Sequence, residues 1–260
     1  MRFASLGSGS KGNGTLVEAG DTCVLLDCGF TLKDTERRLA RLGKTPADID
    51  AILVTHEHSD HIKGVPAFAN KYQTTVYASY GTGNYGARRG DSAKSLNQQS
   101  YFQAIQLNQN FSIGSLNISP VAVPHDAREP CQYVIAKGEK SFGLLTDLGS
   151  ITPLVLAHYK RCDALFLECN HDVQMLADGP YPYSLKRRVG GDWGHLNNQQ
   201  AASLLAEAEV GHLQHVVMAH LSEQNNTPAL ARAAIEPMLA NSDALLSADQ
   251  DAGFDWLEIA

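Results

Sequence analysis

Positions 55–61 read THEHSDH, directly after the apolar run AILV, and this stretch constrains the chain more than any other. It holds three of the ten histidines and two acids. Alternate residues on an extended segment point the same way, so His56 and His58 can grip one cation together. Asp60 and His61 are adjacent and fall just past the strand, where the chain turns, so they can face a second cation. Histidine and carboxylate suit zinc and similar divalent metals. A buried strand ending in such a cluster delivers it to the carboxyl edge of a sheet, where ligand sites of α/β folds tend to lie. The plain alternative is a polar loop of solvated histidines, and the spacing HxHxDH behind a buried strand argues against it.

The remaining sequence supplies the material for such an edge. At 260 residues with 43% hydrophobic content, the chain has enough core for a single domain spanning residues 1–260. The formal net charge of −7 is no general signature of nucleic-acid binding, although bound divalent ions would offset part of it. The five cysteines are odd in number and form no CxxC, which favours a reducing compartment. No signal-type leader and no run long enough to span a bilayer is evident, so a cytoplasmic location without membrane contact is expected.

Short β-type runs open the chain, with the Gly/Ser loop GSGSKGNG between the first two. TLKDTERRLARLG carries early acids, late arginines and a terminal glycine, as a capped helix does. The polar stretch YGTGNYGARRGDSAKSLNQQ reads as a mobile surface segment, and residues 178–194 read as a loop. Strand blocks separated by helices, in two similar halves, predict an α/β protein with two sheets covered by helices.

HxHxDH resembles the motif of the metallo-β-lactamase superfamily. Its remaining positions are matched in order by Asp27 in LLDCG, His125 in AVPHDA, Asp147 in LLTDLG and His220 in VVMAHLS. The resemblance implies a four-layer αββα sandwich with two divalent ions at one edge, zinc or manganese. It implies His56, His58 and His125 on one ion, Asp60, His61 and His220 on the other, Asp147 as the bridge, and Asp27 behind them orienting the metal loop. An acid at 147 favours hydrolases of phosphodiesters and thioesters. The wording SLGSGSKGN, THEHSDHIKG, PHDAREP, ECNHD, GHLNN and AHLSEQNN is similar to the bacterial YycJ (WalJ) subgroup and, more loosely, to the cyclic phosphodiesterase of phosphonate breakdown. That similarity implies a nuclease acting on DNA ends, from the 5′ side.

Two cations can share a hydroxide that attacks phosphorus in line and can stabilise the charge that builds on its oxygens. Asp60 and His195 are the expected catalytic residues, His195 as acid to the departing oxygen or as a phosphate ligand. Asn13, His171, Arg88, Arg89, Lys186 and Arg187 are the candidate substrate contacts. Arg188, Tyr181, Tyr183 and Trp193 lie in the same neighbourhood for phosphates and stacked bases. Two other readings remain open on the residues: a glyoxalase-like thioester or lactone hydrolase, and a non-catalytic metal-binding regulator.

Overall fold

A computed structural model describes residues 1–84 and 95–260. Arg88 and Arg89, two of the expected phosphate contacts, lie outside the described residues, as do Tyr85 and Lys94.

Strands β1 (Arg2–Gly7), β2 (Gly14–Ala19), β3 (Thr22–Leu26), β4 (Ala51–Leu53), β5 (Thr75–Ser79) and β6 (Phe102–Ile105) lie side by side in chain order. The second sheet holds β7 (Phe111–Ile113), β8 (Leu116–Ala122), β9 (Cys131–Lys137), β10 (Lys140–Leu145), β11 (Ala164–Glu168), β12 (His215–Ala219) and β13 (Leu245–Ser247). The last strand, β14 (Phe254–Glu258), returns to the first sheet and pairs antiparallel with β1. Strands β3 to β6 run parallel, and so do β10 to β13.

Helices cover the outer faces. Among the described residues they are α1 (Leu32–Arg41), α2 (Ser59–Ile62), α3 (Val65–Tyr72), α4 (Tyr80–Gly83), α5 (Pro153–Tyr159), α6 (Val173–Asp178), α7 (Tyr183–Val189), α8 (Asn198–Glu207) and α9 (Pro228–Ile235). Three apolar layers result. Phe3, Leu26, Leu53, Leu144, Phe166 and Val217 fill the space between the sheets. Leu25, Ile52 and Val76 pack outward against Leu39 and Phe68, and Leu145, Leu165 and Val216 against Val155, Leu204 and Ile235. This is the αββα sandwich of the metallo-β-lactamase fold. Strands β3 and β11 are buried along their whole length because both faces are covered, which explains their unbroken apolar wording.

Two loop expectations need correction. Residues 183–189 form α7, because Pro182 sets the entry, LKRR propagates helix well and Gly190 ends it. The polar stretch after β5 begins with a helical turn, α4, whose first N–H groups are capped by Ser79.

The turn after β3 is built against the histidine motif. A Cβ added at Gly29 would sit 1.7 Å from the carbonyl oxygen of Asp60 and 2.8 Å from the amide of Asn13. Around it, Asn13 N donates to Asp60 O at 2.8 Å, Cys28 N to His61 O at 2.8 Å and Gly29 N to Asn13 O at 2.9 Å. The three segments form one backbone knot that no side chain at 29 can enter. Gly29→Ala is therefore expected to destabilise the protein by about 2 kcal/mol or more and to weaken metal retention, as measured by thermal unfolding and metal analysis of the same preparation.

Candidate metal centre

The motif enters at the carboxyl end of β4. Strand pairing stops at Leu53, His58 keeps an extended backbone, and Asp60 and His61 sit on the single turn of α2. His125 follows β8, Asp147 follows β10 and His220 follows β12. Asp27, Asp147 and His220 each leave their strand with a left-handed backbone, φ 59°, 54° and 52°. Such a conformation costs ~1–3 kcal/mol per residue when held by its surroundings. It turns each chain sharply, and all three turns converge on one spot between the sheet edges.

The expected ligand positions come together there. Donor atoms of His56, His58 and His125 lie within 4.8 Å of one another, as do those of Asp60, His61 and His220, and those of His56, His61 and Asp147. Asp147 clusters with His56 of the first group and His61 of the second; its Oδ2 is 3.2 Å from His61 Nε2 and its Oδ1 is 3.6 Å from His220 Nε2. Asp60 Oδ2 lies 3.3 Å from His61 Nε2 and 3.5 Å from His220 Nε2.

The surroundings prepare these rings as ligands. His61 Nδ1 donates to Asp27 Oδ2 at 2.7 Å. Thr55 Oγ1 also donates to Asp27, at 2.9 Å, and so accepts from His56 Nδ1 at 3.0 Å. His125 Nδ1 donates to Gly194 O at 3.0 Å, and His220 Nδ1 faces Glu168 Oε1 at 3.3 Å. In all four rings Nδ1 is engaged from behind, which leaves the Nε2 lone pair turned inward. The buried atoms His56 Nε2, His220 Nε2 and Asp147 Oδ2 have no hydrogen-bond partner among the described residues. Polar atoms buried at that cost imply a partner of another kind, and a divalent cation fits a set made of imidazole nitrogens and carboxylate oxygens.

The local field agrees. Burial opposes charge on His220, yet Asp147, Asp60 and Glu168 raise its pKa to about 10. Burial likewise opposes charge on His61, and Asp147, Asp60 and Asp27 still raise it well above the ordinary histidine value. Burial opposes ionisation of Asp147, but His220 and His61 hold it well below the carboxylate range. His56, buried beside His61, is instead pushed well down. The carboxylates thus favour positive charge at this point in space.

Glu168 is the functional residue that the sequence reading passed over. It ends β11 with no exposed surface. Its carboxylate accepts from the backbone N–H groups of Asp147 at 3.1 Å, Leu148 at 3.3 Å and Leu196 at 2.9 Å. It also meets His195 Nδ1 at 2.8 Å. Burial opposes its charge, but His195 and His220 lower its pKa to about 2. The available signal was an acid closing the fully apolar run ALFL, where a side chain must be buried.

The other expected contacts divide. His195 lines the central cavity, and Glu168 raises its pKa against the opposing effect of burial. Asn13 is buried, and its side chain ties Gly9 to Asp60: Oδ1 accepts from Gly9 N at 2.8 Å, and Nδ2 lies 3.3 Å from Asp60 Oδ2. Ser8, in the same glycine loop, accepts from His220 N at 3.0 Å, while Ser10 lines the cavity. The loop therefore ties together the segments that carry Asp60 and His220 and places Ser10 on the cavity. His171 is buried and bridges to Asn197, and burial lowers its pKa to about 4. Lys186 donates to Ala177 O at 2.6 Å, and Arg187 lies 6.0 Å from the Tyr183 ring. Among the described basic residues of this region, Arg188 is the one that lines the cavity, and it pairs with Asp126.

The family model for the Beta-lactamase superfamily domain matches residues 22–221, and the chain belongs to that superfamily. It is a metal-dependent hydrolase. Among curated relatives it is 34% identical to exodeoxyribonuclease WalJ of Streptococcus pneumoniae, over 94% of this chain and 90% of that protein. It is 36% identical to exodeoxyribonuclease YycJ of Bacillus anthracis, over 92% and 89%. Among solved structures, zinc-bound PqqB of Methylobacterium extorquens superposes with a TM-score of 0.72 at 17% identity, covering 99% of this chain and 100% of that one. No helix among the described residues is long and apolar enough to cross a membrane.

If the rear hydrogen bonds prepare the ligands, removing one charge should act at a distance. Asp27→Asn is expected to weaken metal binding about 10- to 100-fold with the circular dichroism spectrum retained, as read by competition with a chromophoric chelator.

Proposed function

We propose that this chain is a two-metal phosphodiesterase that degrades DNA from 5′ ends. The observation that carries the reading is the Asp147 carboxylate, which clusters within 4.8 Å with ligand atoms of His56 and His61, one from each donor set. His56, His58 and His125 would hold one ion and Asp60, His61 and His220 the other, with Asp147 common to both. Ions bound there supply Lewis acidity toward a phosphoryl oxygen and lower the pKa of water toward neutrality. Zinc suits the imidazole-rich set, and manganese the carboxylate-richer one.

The chain's own residues do the rest. His195 faces the cavity with Nδ1 tied to Glu168, so Nε2 is the atom positioned to give a proton to the departing sugar oxygen. Glu168 sets the orientation of that ring and, through the backbone of Asp147 and Leu148, the position of the bridging acid. The cavity, about 390 Å³, is within the range that small ligands fill and has room for more than a phosphate group. Two relatives named as exodeoxyribonucleases, aligned over nine-tenths of this chain, support DNA as substrate and ends as the point of attack.

Protein loaded with zinc or manganese is expected to hold two ions per chain and to shorten linear DNA progressively from a labelled 5′ end while sealed circles survive. Rapid cutting of circular single strands would remove the end-directed part of the proposal.

His195→Ala is expected to keep its metal and lose about 10²- to 10⁴-fold in turnover on DNA, the usual scale for a general acid. The loss should be smaller on bis(p-nitrophenyl) phosphate, whose nitrophenolate leaves without a proton. Equal losses on the two substrates, or loss of metal, would contradict the role assigned to His195.

A further inference from the structure

We infer that Arg188 forms a second phosphate subsite, which binds the phosphate group neighbouring the one under attack. This rests on the phosphodiesterase reading above. Arg188 lies in the last turn of α7, on the wall of the same cavity as Asp147, His195 and His220.

The backbone gives Arg188 a set position relative to the reaction. His195 N donates to Val189 O at 2.8 Å. A Cβ added at Gly194 would lie 2.2 Å from Arg188 O and 2.3 Å from Val189 O, and one at Gly149 would lie 2.4 Å from Asp192 O. The end of α7, the turn to His195 and the segment after Asp147 are therefore stacked backbone on backbone. Arg188 and His195 leave one corner, and that corner is pressed against the loop of the bridging acid.

The side chain is also oriented. Arg188 Nε pairs with Asp126, whose other oxygen lies 3.5 Å from His125 Nε2 and 3.8 Å from His58 Nε2. That contact uses the inner edge of the guanidinium. The two Nη groups carry its four other N–H donors, and the side chain is 58% exposed. A planar fork whose Nη end has no partner among the described residues suits two oxygens of a phosphate. Lys11, another cation beside the cavity among the described residues, is paired with Glu223 at 2.6 Å. A single phosphodiester would be neutralised by the metal centre, whereas the next phosphate along a strand needs a cation of its own. The geometry puts Arg188 at that place.

The test uses metal-loaded protein and two readouts. In calorimetric titration, a nucleoside 3′,5′-bisphosphate should bind wild type more tightly than the 5′-monophosphate, and Arg188→Ala should remove that advantage, about 10- to 100-fold. In kinetics, Arg188→Ala should lower kcat/KM on oligonucleotides by a similar factor and on bis(p-nitrophenyl) phosphate by much less, with metal content retained. Arg188→Lys should restore part of the loss, since it keeps the charge but not the fork. A loss confined to 5′-phosphorylated strands identifies the terminal phosphate as ligand, and an equal loss on 5′-hydroxyl strands identifies an internal one; either supports the subsite. An undiminished bisphosphate advantage in Arg188→Ala, no such advantage in wild type, or equal kinetic losses on both substrate classes would overturn it. If wild type cleaves no oligonucleotide, the nuclease reading fails, and the titration still decides the fate of Arg188.

Discussion

Two buried carboxylates hold this site, one behind each half. Asp27 follows β3 in the first sheet and Glu168 ends β11 in the second. Each is out of water, and each is matched by hydrogen bonds from backbone N–H groups and from the histidine in front of it. An unmatched carboxylate would be too costly to bury. Once matched, it does two things: it orients an imidazole, and it adds negative potential at a point where cations are to be held. The raised pKa values of His61 and His220 come first from Asp147 and Asp60, and Asp27 and Glu168 add to them from behind.

The scaffold's contribution is convergence. Parallel strands β3, β4, β10, β11 and β12 all point their carboxyl ends to one side, so residues far apart in sequence leave the sheets within reach of each other. Left-handed turns at Asp27, Asp147 and His220 bend the chain at once, before the side chains can diverge. The glycine loop between β1 and β2 then locks the two halves from outside, with Asn13 on Asp60 and Ser8 on His220. Arg38 does similar work below, donating from α1 to Leu6 O at 2.6 Å and to Asp251 O at 2.6 Å, and so tying β1 to the segment before β14.

Metal-binding edges of this kind serve several hydrolytic reactions, so chemistry toward a particular substrate has to come from what surrounds the ions. In the function proposed above, that is the corner made by α7 and the turn to His195. It contributes the His195 ring, the Gly194 carbonyl that orients His125, and Arg188. Trp193 in the same turn is 64% exposed.

Much of the centre was legible from residue order. HxHxDH needs no tertiary information to be read as a cation site, since extended and helical periodicities alone place His56 with His58 and separate them from Asp60 and His61. Buried apolar strands ending at Asp27, Asp147 and His220 were equally plain, as was the layered α/β architecture. Other features depended on which strands became neighbours. Glu168 was hidden because its partners Asp147 and His195 come from the end of the preceding strand, 21 residues back, and from a turn 27 residues on. Asn13 and His171 looked like substrate contacts by their place near the motifs, but packing buried both. Helix α7 was read as a loop because residues 178–194 carry prolines and glycines around KRR, and the folded helix decided that Arg188, rather than Lys186 or Arg187, lines the cavity. The return of β14 to the first strand left no local mark at all. Short-range spacing decides which atoms can share an ion; only strand order and burial decide which charges must answer one another across the chain.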